Sequence, residues 1–290
     1  MGTGSPVAAA FERARSERRA ALVGYLPAGY PTVAGAVAAL QAMVDAGVDV
    51  VEVGLPYSDP LMDGPTIQQA VDAALRAGTT TADVLRTVEA VASAGTPAVV
   101  MSYWNPIARY GTHRFARDLA AAGGSGVITP DLIPDEADDW LPPARDHRLD
   151  TVFLVAPSST AERIALTVEA CRGFVYAAST MGVTGARAEV GDAAAALVAR
   201  TRMATDLPVA VGLGVSTGDQ AAEVAGFADG VIVGSAFVRC LLDADDVASG
   251  ASAAAAVAAE LAGGVRRGWY RSAGSRVVRM RRDHAEEPSR

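Results

Sequence analysis

The strongest constraint on this chain is a short run of β-branched and apolar residues that recurs along almost its whole length, with helix-like stretches between. Eight such runs can be read: Ala21–Tyr25, Val48–Val53, Ala98–Met101, Gly126–Thr129, Thr151–Val155, Phe174–Ala178, Val209–Val211 and Val231–Val233. Each is nearly continuous in apolar residues rather than alternating, which is the pattern of parallel strands covered by helices. The intervening segments carry helix punctuation. Ser159-Thr-Ala-Glu162 and Thr217-Gly-Asp-Gln220 read as capping boxes, and Gly47, Gly95, Gly123 and Gly173 stand where helices should stop. Pro97 and Pro208 open strands, where a missing N–H is tolerated. Eight β/α units without a Pro/Gly/Ser linker specify a single (β/α)8 TIM barrel, with an N-terminal helix and extended loops after the second and sixth strands. A doubly wound sheet fits less well. It has fewer strands and wants G-x-G-x-x-G after the first, whereas this first run enters Gly24-Tyr-Leu-Pro-Ala-Gly-Tyr-Pro31. The barrel is expected over residues 1–268, followed by an Arg-rich, flexible tail at 269–290.

Composition narrows the chemistry. All 25 basic residues are Arg and there is no Lys, which excludes Schiff-base chemistry, a P-loop lysine and a pyridoxal-phosphate anchor in this chain. Only His113, His147 and His284 are present, so a site with two or three His ligands to a metal is not expected. Cys171 and Cys240 form no disulfide framework and neither has a C-x-x-C partner, which suits a reducing cytoplasm. The N-terminal segment has its Arg residues after a short apolar stretch, the reverse of a secretory signal. Ala251–Val265 contains Glu260 and falls short of a membrane span. A formal charge of −8 without a dense basic stripe argues against nucleic acid. Carboxylates, hydroxyls and backbone amides are left to do the work.

Two places concentrate such groups. Glu52 lies in Val-Val-Glu-Val-Gly at the end of the second run. It is either held by an Arg or is a carboxyl of raised pKa at the barrel top, ready for proton transfer. The long loop that follows, Gly54 to Pro65, carries Asp59 and Asp63, each of which also suits an Asx turn or a helix cap. Gly-containing turns follow the last three runs: Met181-Gly-Val-Thr-Gly185, Gly212-Leu-Gly-Val-Ser216 and Gly234-Ser235. They are ordinary αβ turn residues taken singly. Together, at these strands, they suit a phosphate cradle of backbone amides, the first also suiting a mobile lid.

The stretch Glu52-Val-Gly-Leu-Pro-Tyr-Ser-Asp-Pro-Leu-Met-Asp-Gly-Pro-Thr-Ile-Gln68 closely resembles the strand-2 signature of the tryptophan synthase alpha subunit, and Gly182–Gly185, Gly212–Ser216 and Val233–Ala236 resemble its later loops. The likeness runs over about residues 8 to 268. It implies cleavage of indole-3-glycerol phosphate to indole and glyceraldehyde 3-phosphate, with Glu52 as acid/base and Asp63 at the indole nitrogen. Tyr176 is implied as an assisting residue, and Gly185, Gly214, Gly234 and Ser235 as the phosphate site. Tyr25, Met101, Tyr103, Thr184 and Leu213 fall where the family wraps the indole. Leu213 stands where an aromatic often stacks, and Pro130 is bulkier than the family pattern suggests. The resemblance also implies no cofactor in this chain and an α2β2 complex with a beta subunit that carries pyridoxal phosphate, contacted through Pro56, Tyr57 and Asp59. Three other functions compete: a stand-alone lyase releasing free indole, a sugar-phosphate isomerase, and a barrel kept only to activate a partner. The isomerase wants acids on the first and fifth strands, where this chain has none.

Overall fold

The computed structural model describes residues 4–179, 187–212 and 214–283, with the backbone alone described for 187–190 and 270–283. Thr184 and Gly185, in the loop after the sixth run, and Leu213 lie outside the described residues. Helix α1 (Pro6–Ser16) leads into β1 (Ala21–Pro27), α2 (Val33–Asp45) and β2 (Val50–Gly54). Two helices, α3 (Pro65–Arg76) and α4 (Thr81–Ser93), fill the long connection to β3 (Ala98–Met101). Then come α5 (Trp104–Tyr110), α6 (Thr112–Ala121), β4 (Gly126–Ile128), α7 (Leu141–Asp146), β5 (Asp150–Val152), β6 (Leu154–Val155) and α8 (Ala161–Ala170). The chain ends with β7 (Val175–Ala178), α9 (Arg187–Arg202), β8 (Val209–Gly212), α10 (Gly218–Ala225), β9 (Gly230–Val233), α11 (Ser235–Leu242) and α12 (Val247–Asp283).

All strand pairs are parallel, in the order β5-β4-β3-β2-β1-β9-β8-β7-β6. The two edges, β5 and β6, are consecutive pieces of the fifth apolar run, so the sheet curls into a nearly closed barrel joined through the chain itself. Nine strands therefore stand where eight runs were read. The fifth run breaks at Phe153 because the ladder changes neighbour there: β5 pairs with β4, whereas β6 pairs with β7. Gly47, Gly95, Gly123 and Gly173 all have positive φ at helix ends, as their positions predict. The Thr217/Gln220 capping box forms. The other expected box is displaced by one residue. Thr160 is the cap of α8 and accepts from Arg163 N–H at 3.2 Å, while the Ser159 hydroxyl accepts from Ala156 N–H in the preceding turn.

The buried residues form two clusters. The outer one, between sheet and helices, contains Leu22, Leu40, Met43, Val51 and Val100 with Phe115 and Trp140. The inner one fills the lower barrel, where α1 acts as a plug. Val7, Ala10, Phe11 and Ala14 pack on Val23, Val50, Val99, Ile128, Val152 and Phe174, and the Phe11 and Phe174 rings stack at 5.3 Å. This plug closes one end of the barrel and leaves the other to the loops that follow the strands. At the same lower end, buried Arg19 makes a bidentate pair with Asp49 at 2.5 and 2.7 Å. Asp49 also accepts from Leu22 N–H, which ties the starts of β1 and β2 together.

Helix α12 lies across α2, α10 and α11. Its first part, Val247–Trp269, is apolar and long enough to cross a membrane, but Ala254, Ala258, Leu261 and Val265 are buried in the outer cluster. Gly264 and Gly268 let it approach α10 at backbone distance, since a Cβ on either would meet the carbonyl of Gly218 or Ala222 within 2.2 Å. The domain boundary expected at 268 falls inside this helix, whose backbone continues to Asp283.

Asp150 illustrates the cost of closing the lower end. It is buried and accepts from the Ser5 hydroxyl that caps α1, and burial pushes its carboxyl up to about 6. The folded chain thus holds this proton more tightly than the unfolded one, so the stabilisation is full below about pH 4 and is lost as pH rises through 6. Asp150→Asn, which still accepts from Ser5, is expected to stabilise the protein by about 2 kcal/mol at pH 8 and to change little at pH 4. Thermal unfolding at the two pH values measures this.

Candidate active site

The upper barrel holds a cavity of about 440 Å³ walled by residues from nearly every strand. Strand register sets its geometry. Tyr25 on β1 is paired with Glu52 on β2, Met101 on β3 with Ile128 on β4, and Leu154 on β6 with Tyr176 on β7, and all six line the cavity. The two tyrosine rings fit because their neighbours are glycines. A Cβ on Gly54 would lie 2.4 Å from the Tyr25 hydroxyl, and one on Gly212 would lie 2.4 Å from that of Tyr176.

Glu52 is 3% exposed, and its Oε2 has no hydrogen-bond partner among the described residues. No Arg or His is among the described residues that line the cavity, so no described arginine holds Glu52 as a structural carboxylate. Burial first, and then the charge of Asp63, push its carboxyl up to about 8. A carboxylic acid in that range keeps its proton at neutral pH and can give it up to a substrate.

Asp63 reaches the same cavity from the loop between β2 and α3. It does not cap α3, whose first turn follows Gly64 without a side-chain cap. Its Oδ1 instead accepts a hydrogen bond from the Tyr103 hydroxyl at 3.2 Å, and that hydroxyl accepts from Met62 N–H at 2.9 Å. Burial raises the Asp63 carboxyl above its usual range, and the Tyr103 bond opposes the rise.

Gly214, Gly234 and Ser235 line the cavity on the β8–β9 side. The two helices that start there differ. The Gln220 carboxamide oxygen accepts from Ser216 and Thr217 N–H, and the Glu260 carboxylate accepts from Gly218 N–H, so the start of α10 is filled. Helix α11 follows Gly234 without a side-chain cap, and its first turn-closing bond is Val238 N–H to Gly234 at 3.1 Å. The amides of Ser235, Ala236 and Phe237 find no acceptor among the described residues and are available to an anion.

The structure thus gathers Glu52, Asp63, Tyr176, Gly214, Gly234, Ser235, Tyr25 and Met101 around one space. Tyr103 is not among the described residues that line the cavity, and its hydroxyl instead bonds Met62 and Asp63 of the adjoining loop. Pro56, Tyr57 and Asp59 line a separate groove of about 640 Å³ with Thr79, Asn105 and Arg109, where Asn105 Nδ2 donates to the Tyr57 hydroxyl at 3.0 Å. Ile128, Leu154 and Ile232 complete the cavity floor and walls without having been singled out in sequence. Their signal is register: each is an inward position level with Met101, Tyr176 or Gly212 on the adjacent strand.

A parallel barrel whose cavity joins paired carboxyls to open amides at a short helix after the last strand is suited to acid–base chemistry on an anionic ligand. The sequence model of the tryptophan synthase alpha chain family matches residues 11–266. The tryptophan synthase alpha chain of Acidothermus cellulolyticus is 63% identical over 261 residues, covering 90% of this chain and 97% of that one. Among solved structures, a tryptophan synthase chain from M. tuberculosis superposes with a TM-score of 0.84 at 55% identity, covering 91% of this chain and 99% of that one. The alpha subunit from Legionella pneumophila retains a TM-score of 0.82 at 31% identity, over 90% and 98% of the two chains. This chain belongs to the tryptophan synthase alpha chain family.

The glycine–tyrosine fit is open to test. Gly212→Ala forces the Tyr176 ring to move within a packed barrel, and a displacement of that size costs roughly tenfold to a hundredfold in turnover. Indole release with circular dichroism as the folding control measures it, and unchanged turnover would show that Tyr176 has no required position.

Proposed function

We propose that Glu52 and Asp63 perform the reaction of the family in this chain, the retro-aldol cleavage of indole-3-glycerol phosphate to indole and glyceraldehyde 3-phosphate. The observation that carries the assignment is the pair itself: a desolvated carboxyl of raised pKa next to a second carboxylate, in a cavity with no cation on its described walls. Glu52 protonates C3 of the indole, which turns the ring into an electron sink. Asp63 accepts the ring N–H and stabilises the positive charge that develops on it. The Glu52 carboxylate then takes the glycerol hydroxyl proton as the carbon–carbon bond breaks. The bonding pair returns to the ring, the aldehyde departs, the proton Glu52 gave stays on indole C3, and the hydroxyl proton leaves Glu52 protonated again. No lysine is required, in keeping with a chain that has none.

Tyr176 lies over this pair from β7, and Tyr25 and Met101 flank the indole. The phosphate is held by the amides at Gly214, Gly234 and Ser235. Tryptophan synthase alpha chains need no cofactor, pyridoxal phosphate belonging to the beta subunit. The partner is that beta subunit, in an α2β2 heterotetramer that makes L-tryptophan in the cytoplasm. The groove of Pro56, Tyr57 and Asp59 is the surface it contacts, since it is formed by the same loop that delivers Asp63. The stand-alone lyase is disfavoured by relatives at 60–63% identity that are named alpha chains of tryptophan synthase. The lyase role also displaces the isomerase and the non-enzymatic barrel.

Glu52→Gln should lower indole release by about 10³-fold, while glycerol phosphate, measured by calorimetry, binds almost as before. Equal loss of both would refute the catalytic role. Asp63→Asn should be severely impaired, because a neutral amide does not offset charge on the indole, and full activity there would sink the electrostatic assignment. Turnover must also fall as pH rises through about 8, where Glu52 loses the proton it donates. A rate independent of pH between 7 and 9 contradicts this.

A further inference from the structure

Tyr103 precedes α5, and its neighbours leave it little freedom. The buried Ser102 hydroxyl donates to the Tyr103 carbonyl at 2.8 Å, and the next amide, Trp104 N–H, donates to the Asp131 carboxylate at 2.8 Å. Asp131 belongs to the loop after β4, directly following Pro130 of the cavity wall. Because Tyr103 supplies no side-chain cap to α5, Asp131 is the group that satisfies the helix's first amide. The Tyr103 ring is 2% exposed and packs on Tyr57 at 5.5 Å. Its hydroxyl then makes two bonds to neighbouring residues of one loop, accepting from Met62 N–H and donating to Asp63 Oδ1. The Gln68 carboxamide also donates to the Asp63 carbonyl at 2.7 Å, but that bond leaves the carboxylate free, and Leu61 and Met62 beside it are 76% and 52% exposed.

We infer that Asp131 and Tyr103 are positioning residues for the cleavage, Asp131 fixing the backbone that carries Tyr103 and the Tyr103 hydroxyl fixing the Asp63 carboxylate toward the cavity. This rests on the catalytic role given to Asp63 above. Among the described residues, the titratable groups facing Asp63 are Glu52 from β2, Tyr25 from β1, Tyr176 from β7 and Tyr103 itself, none of them a cation. The Tyr103 hydroxyl is the donor that holds Asp63 in its charged form against burial. Removing it therefore affects both where the carboxylate points and the pH at which it takes up a proton.

The test is steady-state cleavage of indole-3-glycerol phosphate from pH 5 to 9 by the complex with the beta subunit. Tyr103→Phe keeps the ring packing. It should lower kcat between about 10- and 100-fold, the loss expected for one hydrogen bond to a charged group, with KM nearly unchanged. Its acid limb should move to higher pH while the alkaline limb, set by Glu52, stays in place. Asp131→Ala should show the same pattern in weaker form, and Asp131→Asn, which retains an acceptor for Trp104 N–H, should recover most of the loss. An acid limb that does not move in Tyr103→Phe, or equal activities of the Asp131→Ala and Asp131→Asn variants, overturns the inference. Asp63→Asn measured in parallel separates the two levels. Full activity there refutes the role of Asp63 and the positioning with it, whereas an impaired Asp63→Asn beside an unmoved Tyr103→Phe profile refutes the positioning alone.

Discussion

Two carboxyl groups brought together in an apolar barrel, with no cation on its described walls, cannot both ionise at neutral pH without a large cost, and the active end of this structure is organised around that constraint. Glu52 is the deeper of the two, and its Oε2 has no hydrogen-bond partner among the described residues, so it keeps its proton. Asp63 has the Tyr103 hydroxyl as a donor, which opposes the rise that burial imposes on its carboxyl. The same pair of residue types thereby sits in two different electrostatic settings. An arginine in the cavity would remove the difference by ionising both. The arginines in the described ion pairs lie at the lower barrel or on the surface, as with Arg19 and Asp49 or Arg163 and Asp135.

The barrel supplies the second requirement, space that is shaped yet rigid. Large rings at Tyr25 and Tyr176 project inward from β1 and β7, and each is accommodated by a glycine on the next strand. Below them α1 fills the barrel with Phe11 against Phe174, and Gly230 leaves room for it, since a Cβ there would meet the Phe11 ring at 2.7 Å. The strands are thus held apart at both ends by aromatic rings set against glycines. Packing of this kind tolerates little change in volume, which is why the position of a carboxyl between two such layers is well defined.

The succession of strands was legible in sequence because it is written locally, whereas Asp63 was singled out by the family resemblance and not by its own loop. A continuous apolar run marks a parallel strand, and a Glu inside one is conspicuous. Helix ends at Gly47, Gly95, Gly123 and Gly173 were legible for the same reason, a positive φ being a local demand. What could not be read depends on contacts between distant segments. The break at Phe153 exists because the fifth strand changes neighbours, which no property of Thr151–Val155 announces. Tyr103 looks like one more aromatic near a pocket until its hydroxyl is seen on Met62 and Asp63, some forty residues away. The cap of α8 moved from Ser159 to Thr160 because Ser159 is engaged by the amide of Ala156.

The loop after β2 shows why chemistry and partner contact are hard to separate in this fold. Its first half, Leu55 to Asp59, walls the groove assigned to the beta subunit, and its second half, Met62 to Gly64, walls the catalytic cavity. Between them the exposed Leu61 gives the segment no anchor of its own, so its conformation is set by what holds either half. On the groove side Tyr57 is held by Asn105 of α5. On the cavity side Asp63 is held by Tyr103, which precedes the same helix and whose ring lies against Tyr57. A displacement of α5 must therefore act on both halves at once. A partner pressing on Tyr57 and Asn105 would thus act on Asp63 through α5 and the Tyr103 hydroxyl, without touching the carboxylate.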